Sequence, residues 1–287
     1  MRKALARTRV AASGAAAVVA VSSLLALSGC GVPPQSSAVP QVQAAAAAGQ
    51  PGAAGANPAA AGARVLNPAN GRLEAVVPDI SRTVLLIGDS QSEPSDGWPR
   101  QGLEAAGYKV YYCGRGGTGF VSTNGKTGNY IDALLRGDWL LPSGTPALIV
   151  IQGGGNDAAT GASDTRITGN AERLIAELKA RYPGTRLAMI GTLARGEGHG
   201  GRRTEVDALL GRVAAAQNLP FVSVGDWLTR HGLAKDLADA VHMNPQGRRA
   251  LGALLERRLI DLGLQRKPTS DQPPALATGG GSDSFQD

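Results

Sequence analysis

Ser90, Asn156, Asp239 and His242 are the residues of this chain whose types and order could act together on an acyl group. Acyl transfer needs a hydroxyl nucleophile, a base for its proton, a group that orients the base, and donors for the oxyanion. Ser90 can be the nucleophile, at the tip of a tight turn that Gly88 permits, and His242 can take its proton. Asp239, three residues before the histidine, can reach the other imidazole nitrogen and fix the tautomer within one local turn. Asn156, in Gly153-Gly154-Gly155-Asn156-Asp157, offers a side-chain amide. A backbone N–H in Gly114-Arg115-Gly116-Gly117-Thr118-Gly119 offers a further donor, because glycines let a carbonyl approach the main chain closely. Taken singly these signals are weak. Gly-Asp-Ser is a common turn, Asn156-Asp157 could cap a helix, and Asp239 with His242 could be a surface pair. Their joint occurrence in this order is what points to catalysis.

Four distant segments can meet only if the chain folds them to one edge. The spans 83–87, 110–113, 147–151, 187–190 and 221–224 are short, apolar and rich in β-branched residues, as buried parallel strands are. Amphipathic runs separate them at 99–106, 130–136, 164–181, 204–217 and 245–262. Thr204 and Asp207 suggest a capping box for the fourth. Asn244 and Pro245 suggest cap and first turn for the fifth, which stops at Gly263. Strand–helix alternation predicts an α/β fold: a three-layer α/β/α domain with a five-stranded parallel sheet, flavodoxin-like in plan. In such sheets sites form beyond the carboxyl ends of the strands. The candidate residues lie there, or just before the last helix.

Gly-Asp-Ser after the first strand, a glycine after the second, Gly-x-Asn-Asp after the third and Asp-x-x-His near the C-terminus resemble the four blocks of the SGNH (GDSL-like) hydrolases. The match in order and spacing spans the whole folded region. The resemblance implies a serine esterase with an acyl-enzyme intermediate. Ser90, Asp239 and His242 would be its triad, and Asn156, a second-block glycine and the Ser90 N–H its oxyanion hole. That glycine is placed at Gly117, with Gly116 nearly as good. Gln91 stands where leucine is common, and Met243-Asn244 intervene between His242 and Pro245. Neither departure removes a reacting group. An O-acyltransferase on the same scaffold is the near alternative, and a non-catalytic envelope-binding lipoprotein the remote one.

Other readings fit less well. Gly114, Gly116 and Gly119 satisfy G-x-G-x-x-G, but Gly125 and Gly128 follow, so no helix starts there to receive a pyrophosphate. There is no His-Glu-x-x-His, and the two cysteines lie far apart, so no metal and no cofactor are expected. Gly-x-Ser-x-Gly is absent, which argues against an α/β-hydrolase elbow. His199 lies in a glycine-rich loop and His231 fits the last turn of a short helix. Asp236 fits His242 less well than Asp239 does, and Asp157 reads as structural. Arg195, Arg202 and Arg203 flank the loop at the rim of the site, where they could meet an anionic substrate or merely aid solubility.

The ends of the 287-residue chain carry a different message. Met1–Arg9 is basic, residues 10–27 are apolar, and Leu27-Ser28-Gly29-Cys30 closes the run, as in an export signal. That ending resembles the lipobox of bacterial lipoproteins, which implies a signal peptide at 1–29 and a lipid-carrying Cys30. Several acyl chains on one residue anchor a protein stably. Residues 30–72, rich in Ala, Gly and Pro, are expected to form a disordered tether. The hydrolase domain is expected at 73–265 and a disordered tail at 266–287. The domain would then lie outside the cytoplasm, lipid-anchored to the bacterial membrane. It is expected to be a monomer acting on a small-molecule, glycan or lipid ester. The formal charge of +6 suggests nucleic acid only at first sight. Arg2, Lys3, Arg7 and Arg9 lie in the leader, and without them 25 basic residues face 23 acidic ones. No basic–aromatic stripe exists, so nucleic acid is rejected. With Cys30 modified, Cys113 has no partner for a disulfide and reads as a small buried residue.

Overall fold

A computed structural model describes residues 62–195 and 201–266, all of which belong to one unit of the chain. In chain order its strands are β1 (Arg64–Asn67), β2 (Arg72–Ala75), β3 (Thr83–Gly88), β4 (Lys109–Gly114), β5 (Leu148–Gln152), β6 (Leu187–Ile190) and β7 (Phe221–Val222). Its helices are α1 (Trp98–Ala105), α2 (Tyr130–Arg136), α3 (Gly155–Ala159), α4 (Asp164–Arg181), α5 (Gly201–Ala216), α6 (Trp227–Arg230) and α7 (Pro245–Asp261). Strands β3 to β7 form a parallel five-stranded sheet in the order β4-β3-β5-β6-β7. The order reverses beside β3, and a crevice opens at such a switch point beyond the strands' carboxyl ends.

The central strands are apolar throughout because both faces are covered. Leu85 and Ile87 of β3, with Ile149 and Ile151 of β5, face a core built with α2, α4 and α5. Val84, Leu86, Leu148 and Val150 point the other way, toward α1 and α7. Period-two alternation of wholly apolar strands thus fills two separate cores, and this is what makes three layers. Helices α1 and α7 cross closely at Gly102 and Gly252. A Cβ on Gly102 would lie 2.7 Å from the Leu255 side chain, and one on Gly252 would lie 2.9 Å from the Gln101 Cβ.

The expected fold class is thus present, with strand 187–190 and helices 130–136 and 164–181 at the expected residues. Asn244 caps α7, its side chain accepting from the Gly247 N–H at 2.8 Å. Three expectations need correction. The last strand ends at Val222 rather than at 224. The helix expected to open at a Thr204–Asp207 capping box instead starts at Gly201. Asp207 sits inside that helix, buried, and accepts from the Thr192 N–H (3.0 Å), the Val224 N–H (3.2 Å) and the Ser223 hydroxyl (2.5 Å). It pins the segments that leave β6 and β7, and burial raises its pKa.

The third correction concerns the tether. Its last residues fold: β1 and β2 form an antiparallel hairpin from Arg64 to Ala75, with Leu66 opposite Leu73. Buried Glu74 holds it to the domain through Arg181 at 2.7 Å and also accepts from Asn67 Nδ2 at 2.6 Å. A buried carboxylate tolerates removal from water only with such partners. At the other end Arg266 belongs to the domain as well, its N–H donating to the Ala106 carbonyl at 2.9 Å. The expected signal peptide, Cys30, most of the tether, His199 and the rest of the tail lie outside the described residues.

Candidate active site

Parallel register brings the Ser90 turn and the glycine loop side by side. Gly88 pairs with Gly114 at the ends of β3 and β4, and Ser90 and Gly116 each lie two residues further on. The turn after β3 is held from below by Asp89. Its side chain accepts from the Gln91 N–H at 2.9 Å, and its carbonyl accepts from the Ser92 and Glu93 N–H groups, both at 3.0 Å. The Ser90 N–H takes no part in these bonds, and the Ser90 side chain projects outward, half-buried. Asp89 itself is buried. Loss of hydration pushes its pKa up to about 6, against the pull of the Gln91 N–H, Gln152 and Arg203. The Gln152 amide, oriented so that both its ends are satisfied, donates to Ser92 Oγ at 2.7 Å and to Asp89 Oδ1 at 3.2 Å.

His242 comes from the loop before α7. Its Nε2 lies 2.8 Å from Ser90 Oγ, although 152 residues separate the two. Its Nδ1 lies 2.8 Å from Asp239 Oδ2. The other oxygen of Asp239 accepts from the Val241 N–H at 2.8 Å and the His242 N–H at 2.7 Å. These two backbone bonds, then the imidazole, hold the Asp239 carboxyl well below the usual carboxylate range. It is therefore ionised whenever the histidine is to act as a base. Aspartate, imidazole and hydroxyl form one hydrogen-bonded line, with Nδ1 protonated and Nε2 free to accept. The imidazole remains in contact with solvent, its side chain 39% exposed. Asp236, the rival carboxylate, is buried against Gly247 instead.

Gly116, not Gly117, is the glycine set against Ser90. A Cβ at Gly116 would lie 3.3 Å from the Ser90 Cβ and 2.7 Å from Glu93 Oε2. A Cβ at Gly117 (φ +81°) would instead meet Asn124, whose Nδ2 would lie 3.6 Å away. The two differ by one position in an irregular loop, and only the β3–β4 register separates them. The Gly116 N–H donates to Glu93 Oε2 at 2.8 Å, and Arg115 lies 3.6 Å from the other oxygen. Glu93 was not foreseen as part of the site. Its sole signal in the sequence is its place three residues after Ser90.

Asn156 stands in the first turn of α3, beyond the end of β5, the other neighbour of β3. One of its amide protons goes to the Thr118 carbonyl at 2.9 Å, which leaves the second for a ligand. Next to it, Asp157 is fully buried and accepts from the N–H groups of Phe120 (2.9 Å), Val121 (2.8 Å) and Ser122 (2.8 Å). That carboxylate fastens the glycine loop to the start of α3, a structural task.

A cavity of about 410 Å³ opens beside the hydroxyl, lined by Ser90, Gln91, Glu93, Pro94, His242, Met243 and Arg248. A larger cleft of about 850 Å³ lies between α6 and α7, but the hydroxyl of its one serine, Ser223, is given to Asp207, and Arg230 and Arg258 there are paired with Asp226 and Asp261. The arginines expected at the rim are partly spent as well. Arg202 pairs with Asp164 and Glu205, while Arg203 turns inward toward the Leu193 carbonyl. His231 ends α6, its ring edge-on to Trp227. Cys113 is buried in β4, where lost hydration pushes its thiol up to about 12, too high for a reactive thiolate. Among the described residues no group of three His, Cys, Asp or Glu side chains is placed to hold a metal ion.

Comparison with known proteins adds a family to this geometry. Residues 81–250 match the model of the GDSL-like Lipase/Acylhydrolase family. No curated protein matches the chain. Solved structures similar to it include a family two carbohydrate esterase from Clostridium thermocellum, with 18% identity, 68% of each chain covered and a TM-score of 0.49. A member of the lipolytic protein G-D-S-L family from Veillonella parvula has 18% identity over 63% of this chain and 97% of its own, with a TM-score of 0.46. A carbohydrate acetylesterase from Sinorhizobium meliloti has 17% identity over 63% of this chain and 99% of its own, with a TM-score of 0.44.

Proposed function

The chain belongs to the GDSL-like lipase/acylhydrolase family and is a carboxylic ester hydrolase, and on that premise we propose that Ser90 is its nucleophile, His242 its base and Asp239 the group that orients the base. The observation that carries this assignment is the unbroken line Asp239–His242–Ser90, with both links at 2.8 Å. In the first step Ser90 Oγ bonds to the ester carbonyl carbon while its proton passes to Nε2. The tetrahedral intermediate then expels the alcohol oxygen, which takes that proton from the imidazolium. Water repeats the sequence on the acyl-enzyme: its oxygen bonds to carbon, its proton goes to Nε2, and Ser90 leaves with that proton restored.

The oxyanion would be met by the Ser90 N–H, the Gly116 N–H and the free amide proton of Asn156. Gly116 rather than Gly117 fills this role because it lies against the nucleophile. In the free enzyme the Gly116 donor is occupied by Glu93, so an arriving carbonyl oxygen displaces that carboxylate. The displacement favours substrates whose bound alcohol portion keeps a polar group near Glu93 and Arg115.

The substrate proposed is a short O-acyl ester of a cell-envelope glycan. The cavity mixes polar Glu93 and Arg248 with apolar Pro94 and Met243, which suits a hydroxyl-rich alcohol and a short acyl group. Release of acetate from acetylated envelope polysaccharides, compared with aryl esters from acetyl to palmitoyl, tests this reading. It predicts that rates fall as the acyl chain lengthens, and a preference for palmitoyl esters would redirect it to lipids. The location proposed is extracytoplasmic, with Cys30 lipidated and residues before it removed. Its support is the basic, apolar, Leu-Ser-Gly-Cys order of the leader. Intact mass of the mature chain is expected to start at an acylated Cys30, and a free thiol at that position refutes the anchor.

A further inference from the structure

Gln91, directly after the nucleophile, reaches across the site to the segment that carries the base. Its Nε2 donates to the Val241 carbonyl at 2.8 Å, and its Oε1 accepts from Trp98 Nε1 at 3.1 Å. Trp98 is buried at the start of α1, so the indole N–H fixes which way the amide points. Val241 immediately precedes His242, and its own N–H is held by Asp239. Residues 238–240 at the tip of this loop are exposed, and the Ala238 N–H bonds only within the loop, to the His242 carbonyl at 2.8 Å. Among the described hydrogen bonds, two link this loop to the nucleophile turn: Ser90 to His242, and Gln91 to Val241.

These two links do not last equally through the reaction. Once Ser90 Oγ is bonded to an acyl carbon it has no proton to share, so the bond to Nε2 is lost. The link from Gln91 is untouched by the chemistry. We propose that Gln91 is a positioning residue for deacylation, holding the His242 loop through the Val241 carbonyl while the serine is acylated. It deepens the Ser90–His242 reading and rests on it. In the free enzyme the serine hydroxyl shares this work, so acylation depends on Gln91 less.

The two steps separate kinetically. For a two-step acyl-enzyme reaction kcat/KM reports acylation alone, whereas slow deacylation lowers kcat and KM together. Gln91→Met keeps the side chain's length and removes its donor. With 4-nitrophenyl acetate, kcat of the variant is expected to fall about tenfold, the scale for losing one hydrogen bond that aims a reacting group. KM should fall with it and kcat/KM should change less than about threefold. A burst of 4-nitrophenolate should appear, with acetyl-enzyme visible by intact mass. Gln91→Glu keeps the acceptor for Trp98 but sets a carboxylate against the Val241 carbonyl, and it should show the same pattern at least as strongly. A general loosening of the fold would lower the melting temperature and kcat/KM instead. An equal fall in kcat and kcat/KM without a burst, or an unchanged kcat, overturns the proposal. Acetyl or fluorophosphonate found on a residue other than Ser90 overturns the nucleophile itself, an outcome distinct from either.

Discussion

Ser90→Ala is expected to lower kcat for 4-nitrophenyl acetate by about 10⁵-fold or more while leaving the protein folded. Losing a serine nucleophile costs about that much in enzymes of this chemistry, because proton relay and oxyanion donors have nothing to act through without it. The folded state should hardly notice. Ser90 Oγ is described in one hydrogen bond, to an imidazole that water can reach, so its removal strands no buried group. Among the described residues the hydroxyls bonded around this turn are already engaged, Tyr112 with the Gly88 carbonyl at 3.1 Å. Ser92 is fully buried with its Oγ on Gln152, and the buried Thr118 hydroxyl is spent on the Arg115 carbonyl. The measurement pairs steady-state kinetics with a fluorophosphonate probe and far-UV circular dichroism. The native chain should take one label, on the Ser90 peptide, and the variant none, with matching spectra. Turnover within tenfold of the native rate in a folded, unlabelled variant would end the serine mechanism.

The candidate constellation could be picked out of the sequence because its members lie beyond the ends of parallel strands or just before the last helix. The five parallel strands show themselves as short apolar runs, since two cores demand apolar residues on both faces. Ser90 and Asn156 then follow from counting past their ends, whereas the same count sets the glycine at 117 and the pairing of Gly88 with Gly114 favours Gly116. What escaped was set by contacts that no local pattern encodes. The β1–β2 hairpin is short and largely exposed, and its anchor is the ion pair between Glu74 and Arg181, 107 residues apart. Its one local trace is Asn70-Gly71 between Leu66 and Leu73, a turn signal hidden by the Ala/Gly/Pro-rich stretch before it. Asp207 looked like a cap because aspartate early in a helix usually is one. Its true partners, at Thr192 and Val224, lie in two other segments. Gln91 was read as a tolerated replacement for leucine. Its amide meets Val241 from 150 residues away, a relation invisible until both loops are placed.

Asp239→Asn carries the second-largest expected effect, and the geometry explains why a nearly isosteric change is so costly. Asparagine can keep its Oδ1 on the Val241 and His242 N–H groups, so the loop should retain its shape. Its Nδ2 then faces His242 Nδ1, where a carboxylate oxygen accepted before. A donor at that place makes Nδ1 the acceptor and moves the ring proton to Nε2. The imidazole would present N–H to Ser90 and could no longer take its proton. In buried triads this tautomer change costs about 10⁴ in kcat. Here the aspartate side chain is 56% exposed. Water can exchange for the amide and the favourable tautomer is recovered for part of the time, so the expected loss is smaller, about 10²–10³. KM should stay within about threefold, because the group never touches substrate. Fluorophosphonate labelling of Ser90 should slow in parallel with turnover, since both need the same proton removed. Labelling at the native rate in a variant with depressed turnover would mean that Asp239 serves a later step, and loss of less than threefold in both would leave the exposed carboxylate with no part in orienting the base.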